Sequence, residues 1–83
     1  MGTKQVSEHV LYRVEGDARV PLFSDADLDV VQAHRVEEIR NAISSGRARP
    51  QLVITRRDCT YPLGKTGEPL AVGSTCDETD VHP

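Results

Sequence analysis

Residues 24–46 read SDADLDVVQAHRVEEIRNAISSG, and this stretch decides the fold. Apolar side chains recur in it at steps of three, four and five residues, which predicts one apolar stripe along an amphipathic helix. The members of this stripe are Leu28, Val31, Val36, Ile39, Ala42 and Ile43. Ser24 is the predicted N-cap, with Asp27 completing a weak capping box, and Gly46 is the predicted left-handed stop. Valines are poor helix formers, so a break near residues 32–34 is an open alternative.

Charged residues on this helix have structural explanations. Asp25, Asp27 and Asp29 lie near the positive end of the helix dipole, where carboxylates are stabilising. Their spacing is that of part of a calcium loop, but the glycine and the distal glutamate of such a loop are missing. Glu37 and Arg40 are predicted to pair across one helical turn.

The segments around the helix predict strands. Residues 9–15 and 18–23 flank the turn Gly16-Asp17 and predict a hairpin, with Val10, Tyr12 and Val14 facing inward. Residues 51–57, QLVITRR, predict a central strand, and residues 70–72 a short last one. We therefore expect an α+β domain of order ββαβ(β), with the helix on one face of a mostly antiparallel sheet.

The size of the chain limits its core. At 83 residues, 37% hydrophobic and 4% aromatic, it has room for one small aliphatic core. We expect a single domain over residues 8–73, a flexible segment over 1–7 and a flexible acidic tail over 74–83. A partner or a second copy could complete so small a core.

Charge is unevenly distributed along the chain. The net charge is −3, yet residues 35–65 contain seven basic and three acidic side chains between acidic flanks. The start MGTKQVSEHV lacks the apolar core of a secretory signal, and no apolar run approaches bilayer length. The sequence predicts a cytoplasmic protein without membrane contact.

Cys59 and Cys76 allow three interpretations. Two independent thiols are favoured for a cytoplasmic chain, a disulfide is permitted by the 17-residue separation, and a metal pair is the weakest alternative. Zinc sites use closely spaced cysteine pairs, and only His82 lies near Cys76. No metal or other cofactor is predicted.

The remaining motifs do not predict catalysis. Gly64-Lys65-Thr66 has the ending of a phosphate-binding loop, but Cys59 occupies the position of its first glycine, so a turn is predicted. His34 has no patterned nucleophile nearby and is interpreted as a boundary residue. We expect no enzymatic activity.

A set of basic residues is the predicted partner-binding site. Its members are Arg40, Arg47, Arg49, Arg56, Arg57 and Lys65. Arginine binds carboxylates and phosphates alike, so an acidic protein surface, a nucleic acid and a merely solvated surface remain alternatives. The distance along the strand from Arg49 to Arg56 is roughly 20 Å or more, which predicts a stripe and not a pocket. The pI of about 5.5 and the scarcity of aromatics favour the protein partner over nucleic acid.

Residues 35–46, RVEEIRNAISSG, resemble a helix of the flagellar anti-sigma factors, with an Arg-Val start, a central Ile-Arg, an Ala-Ile pair and a closing glycine. The resemblance covers twelve residues and implies a small regulator associated with transcription. The strand QLVIT stands where that family has its next helix. The sequence thus predicts a small non-enzymatic regulatory or adaptor protein that binds a protein, with a nucleic-acid-binding domain as the alternative and a homo-oligomer permitted.

Overall fold

One four-stranded antiparallel sheet and one helix form the computed structural model, which describes residues 2–81. In chain order the elements are β1 (Thr3–Glu15), β2 (Ala18–Asp25), α1 (Leu28–Ser44), β3 (Leu52–Pro62) and β4 (Thr75–Asp80). The spatial order of the strands is β2-β1-β3-β4. Helix α1 packs on one face of this sheet, so the predicted α+β domain with its helix on an antiparallel sheet is confirmed.

Helix α1 begins later than the sequence predicted. Asp27 is the N-cap, and its carboxylate accepts a hydrogen bond from Asp29 N at 2.9 Å. The prediction of Ser24 was wrong because Ser24 still belongs to β2, where it pairs with Val10. Asp25 Oδ1 accepts from Asp27 N and so joins strand to helix. The helix continues without a break through residues 32–34.

The end of α1 is a Schellman motif. Gly46 adopts φ 72°, as predicted, in a conformation that side chains with a Cβ rarely adopt. Gly46 N donates to Ile43 O at 3.1 Å, and Arg47 N donates to Ala42 O at 2.9 Å. These two bonds satisfy carbonyls of the last turn and fix the direction in which the following connector leaves.

The predicted hairpin of β1 and β2 is present. Gly16, at φ 61°, makes the turn, and the register runs from Glu15↔Ala18 to His9↔Asp25. A β-bulge interrupts the ladder where Leu11 and Tyr12 face Phe23 and Pro21. The bulge lies next to Pro21, which lacks a backbone donor and is tolerated because β2 is an edge strand.

Both chain ends form more strand than the sequence predicted. Residues 3–7, expected to be flexible, extend β1 and pair with residues 58–62 of β3. Residues 75–80, expected to be a flexible tail, form β4 and pair with residues 55–60. The short strand expected over 70–72 is absent, since these residues lie in the connection before β4. Residues 1, 82 and 83 of the expected flexible ends lie outside the described residues.

The core lies between α1 and the parts of β1 and β3 that contain Leu11 and Ile54. Leu11 and Val31 are 0% exposed and pack with Ile54. A half-buried ring surrounds them: Leu22, Phe23, Leu28, Leu52 and Val81. Leu11 is therefore the residue of β1 that faces the helix. Of the three residues predicted to face inward, Val10 is buried, at 4% exposed, and Tyr12 and Val14 are half-buried, but alternation places them on the other face of the sheet.

The apolar stripe of α1 is only partly covered. Val31 and Ala42 are buried and Ile39 is half-buried, whereas Val36 is 51% and Ile43 is 63% exposed. The sheet therefore covers one flank of the predicted stripe and leaves the other to solvent. Within residues 2–81, no helix is long and apolar enough to span a membrane.

Candidate functional site

The six predicted partner-binding residues fall into separate places. Arg40 lies on α1, and Arg47 and Arg49 lie in the connector after it. Arg56 and Arg57 lie on β3, and Lys65 lies in the turn that follows Gly64. Of these residues, only Arg47 and Arg49 line one common groove, at the end of the helix, and Arg40 lines a different one.

Arg56 and Arg57 do not continue a stripe from the end of the helix. As neighbours in a strand they point to opposite faces of the sheet. Arg56 Nε lies 3.3 Å from Asp58 Oδ1, and Arg57 Nη1 lies 3.9 Å from Glu8 Oε1. The pKa of Asp58 is lowered, first by a hydrogen bond from the Ser7 hydroxyl and then by the charge of Arg56. These two arginines therefore already have carboxylate partners on the sheet.

A groove of about 410 Å³ lies where the end of α1, its connector and the hairpin end of β1 meet. We call it the arginine groove, and its lining residues are Arg13, Glu15, Glu38, Ala42, Arg47, Ala48, Arg49 and Pro50. The Schellman motif directs the connector along the sheet, and Val14 N donates to Gln51 O at 2.9 Å to hold it there. Backbone hydrogen bonds at both ends of the connector therefore position Arg47 and Arg49.

Arg13 also lines the arginine groove, and its side chain is 42% exposed. Its Nη2 lies 2.6 Å from Glu15 Oε1, while its Nε is buried and has no hydrogen-bond partner among residues 2–81. A buried guanidinium N–H without an acceptor is unfavourable.

Arg47 and Arg49 form the exposed rim of the groove. Among residues 2–81, neither guanidinium has a carboxylate within 4.0 Å, in contrast to Arg56 and Arg57. Glu15 and Glu38 also line the groove, but Glu15 pairs with Arg13 and Glu38 lies 4.0 Å from His34. The groove therefore presents two available cations among lining residues of both charges.

A second polar cluster lies on the sheet face away from α1. Glu78 Oε1 accepts hydrogen bonds from Tyr12 Oη at 2.6 Å and from Thr55 Oγ1 at 2.7 Å. These bonds lower the pKa of Glu78. The pKa of Tyr12 is raised, first by burial and then by Glu78. Arg19 also lies 3.1 Å from Asp80, which ties β2 to β4 across the sheet.

Cys59 and Cys76 form a disulfide, which corrects the expectation of independent thiols. The two residues are direct partners in the β3–β4 ladder, with their Cα atoms 4.1 Å apart. The sequence separation did not reveal this pairing because β4 itself was not predicted. Among the described residues, no group of three or more His, Cys, Asp and Glu side chains is arranged to hold a metal.

Sequence reasoning missed Arg13 and the Glu78 cluster. Arg13 was identifiable in part, because alternation along β1 places it on the same face as Leu11, at the end of the hairpin. Glu78 gave no such signal, since its partners Tyr12 and Thr55 lie far from it in the sequence.

No family model, curated protein or solved structure matches this chain.

Proposed function

We propose that this protein is a non-enzymatic adaptor domain that binds another protein through the arginine groove. The observation that carries this proposal is the pair Arg47 and Arg49, exposed and without an ion-pair partner among residues 2–81. Arginine forks bind carboxylates in two-point geometry, so an acidic segment of a partner protein fits them.

Arg13 lines the same groove as Arg47 and Arg49 and adds a third guanidinium to it. Its side chain is 42% exposed, and its Nη2 lies 2.6 Å from Glu15 Oε1. A glutamate or aspartate side chain of a partner would bind to Arg47 and Arg49, with Arg13 as a further positive charge in the same groove.

The mixed charge of the groove favours a protein over a nucleic acid. Glu15 and Glu38 line it, and a continuous phosphate backbone would pass close to both. Arg56 and Arg57, which the nucleic-acid alternative needs, lie on β3 and pair with Asp58 and Glu8. Tyr61, the nearest candidate for base stacking, pairs with Lys4 at the other end of the sheet.

The regulatory role, the link to transcription and the cytoplasmic location stay predictions. The regulatory role rests on the segregated charge and on the lack of a catalytic motif in the sequence, and the link to transcription rests on the twelve-residue resemblance of the helix. The disulfide argues against the cytoplasmic location, because disulfides persist mainly in oxidising compartments.

The test compares two charge-matched double variants in capture from an extract of the native host. Arg47→Ser with Arg49→Ser removes the rim of the groove, and Arg56→Ser with Arg57→Ser removes the same charge elsewhere. We expect the first variant to lose the protein partner captured by the unchanged chain and the second to retain it. Equal loss in both variants would contradict the proposal.

Salt titration of the purified complex then distinguishes the classes of partner. A nucleic-acid complex should weaken steeply, with a slope near one per phosphate contact, and should be removed by nuclease. A protein complex held by a few arginine–carboxylate contacts should survive nuclease and weaken much less.

A further inference from the structure

The first residues of β1 are paired on one side only. β1 pairs with β3 over residues 3–13, but β2 reaches only as far as the pair His9↔Asp25 before the chain leaves the sheet for α1. Among residues 2–81, no strand therefore lies on the β2 side of residues 3–7. We call residues 3–7 the open edge, and all of them are exposed.

The backbone of the open edge has the groups that a further strand needs. Val14 N donates to Gln51 O, and the register of β1 with β3 is unbroken, so the even-numbered residues of β1 bond to β3. Backbone groups alternate in direction along a strand, so the N–H and C=O groups of Thr3, Gln5 and Ser7 point to the opposite side. The open edge therefore offers donors and acceptors in the order that an added strand would match.

The outer strands β2 and β4 carry features that oppose strand addition, and the open edge lacks them. β2 contains Pro21 beside a β-bulge, and β4 carries the carboxylates of Asp77, Glu78 and Asp80 within six residues. Proline, bulges and charge are the usual protections of exposed strand edges. The open edge contains no proline and a single charge, that of Lys4, so it is better suited to strand addition than β2 or β4.

Two side chains of the open edge indicate what the added strand contains. Val6 is 39% exposed, and Lys4 has no carboxylate within 4.0 Å among residues 2–81. Both lie on the sheet face away from α1, because Leu11, an odd-numbered residue, faces the helix. Residues directly opposite each other in neighbouring strands share a face and interact. An apolar residue opposite Val6 and an acidic one opposite Lys4 would therefore complement this edge.

We propose that the open edge binds an extended segment of a partner protein by antiparallel strand addition. In the partner's sequence an apolar residue is followed, two residues later, by an acidic one. Main-chain hydrogen bonds supply the affinity and the two side chains supply the selectivity. Antiparallel pairing is slightly more stable per residue than parallel pairing. The open edge is separate from the arginine groove, and its binding does not depend on the function proposed for that groove.

The probe is the synthetic peptide acetyl-Thr-Thr-Val-Thr-Glu-Thr-amide, whose valine and glutamate meet Val6 and Lys4 in the antiparallel arrangement. We expect a dissociation constant on the order of 1 mM, measured by amide NMR of the full chain in a titration to about 5 mM peptide. New hydrogen bonds should move the amide proton resonances of Thr3, Gln5 and Ser7 downfield. The amides of Lys4 and Val6, already bonded to β3, should shift much less. No binding up to that concentration, or shifts centred elsewhere, would overturn the proposal.

Two variants test the backbone and the orientation. Gln5→Pro removes an outward donor without breaking a bond to β3 and should weaken binding at least about tenfold. Gln5→Ala is its matched control, because it keeps the N–H, and it should bind like the unchanged chain. Lys4→Glu should weaken binding about fivefold and should prefer the same peptide with lysine in place of glutamate. Circular dichroism checks that each variant keeps its fold.

Three results of these experiments would contradict the proposal. Equal binding by Gln5→Pro and Gln5→Ala would show that the outward donor is not used. A preference of the unchanged chain for the lysine peptide would place the charge opposite Glu8, as parallel pairing requires. Concentration-dependent shifts of Thr3, Gln5 and Ser7 without peptide would assign the open edge to a second copy of this chain.

Discussion

Glu78 is the residue at which three strands meet. Its carboxylate lies on β4 and accepts hydrogen bonds from Tyr12 on β1 and Thr55 on β3. Thr55 is 1% exposed, so its hydroxyl needs a protein acceptor, and Glu78 supplies one. An ionised carboxylate accepts both bonds, which is why they lower the pKa of Glu78.

These hydrogen bonds make stability depend on pH. Because the pKa of Glu78 is lower in the folded state than its ordinary 4.5, ionisation of Glu78 stabilises the fold above that value. This contribution is lost as the pH falls through the folded-state pKa. The raised pKa of Tyr12 has the opposite sign: its neutral form stabilises the fold below pH 10.0, and the contribution is lost above it.

We predict that Glu78→Gln destabilises the protein at pH 7 and that the difference from the unchanged chain shrinks below pH 4.5. Tyr12→Phe should cost about 0.5–1.5 kcal/mol at pH 7, the usual contribution of one hydrogen bond. Urea unfolding at pH 3, 5 and 7 measures both effects. A Glu78→Gln deficit that is the same at all three values would show that its ionisation is not coupled to folding.

At the scale of elements, β4 shows what the sequence could not reveal. Its residues, TCDETD, have no apolar alternation, and all six are exposed. The strand is held by long-range contacts: the disulfide to Cys59, the hydrogen bonds of Glu78, and Val81 packed on the core just after it.

Helix α1 was identifiable because its apolar spacing and Gly46 are local signals. The predicted start of the helix was wrong because Ser24 and Asp27 are both good N-cap residues, and the pairing of Ser24 in β2 decided between them.

We predict that truncation after Ser74 strongly destabilises the protein, although the acidic composition of this segment suggested that it was dispensable. Removing β4 leaves the edge of β3 unpaired and uncovers Ile54, whose carbonyl accepts from Val81 N at 2.8 Å. The double variant Cys59→Ala, Cys76→Ala isolates the disulfide and should cost about 3 kcal/mol, given the loop that it closes. Denaturant unfolding without reductant measures both. An unchanged midpoint after truncation would contradict the role given to β4.

At the scale of the whole molecule, the protein is an elongated sheet with its core towards one end. Its principal extents are 54 × 26 × 21 Å. Helix α1 and β2 cover the half of β1 that contains Leu11, whereas residues 3–8 of β1 pair with β3 alone. The arginine groove forms at the covered end, where the helix, its connector and the hairpin meet. The sequence grouped all four arginines into one predicted stripe, and only the fold separates Arg47 and Arg49 from Arg56 and Arg57.

This asymmetry predicts that backbone amides along β1 are unequally protected from hydrogen exchange. Residues 9–13 lie between β2 and β3, so hydrogen bonds on both sides and the core around Leu11 should make their amides the slowest to exchange with deuterium. Residues 3–8 have a strand on one side only, so their amides on the other side should exchange much faster. Reduction of the disulfide should speed exchange most in residues 75–80, which lose their covalent link to β3. Residues 9–13 should speed up only as far as the global free energy of unfolding falls, because the slowest amides exchange through global unfolding. Hydrogen exchange read by mass spectrometry measures each segment, and equal protection of residues 3–8 and 9–13 would mean that the two halves of β1 open as one unit.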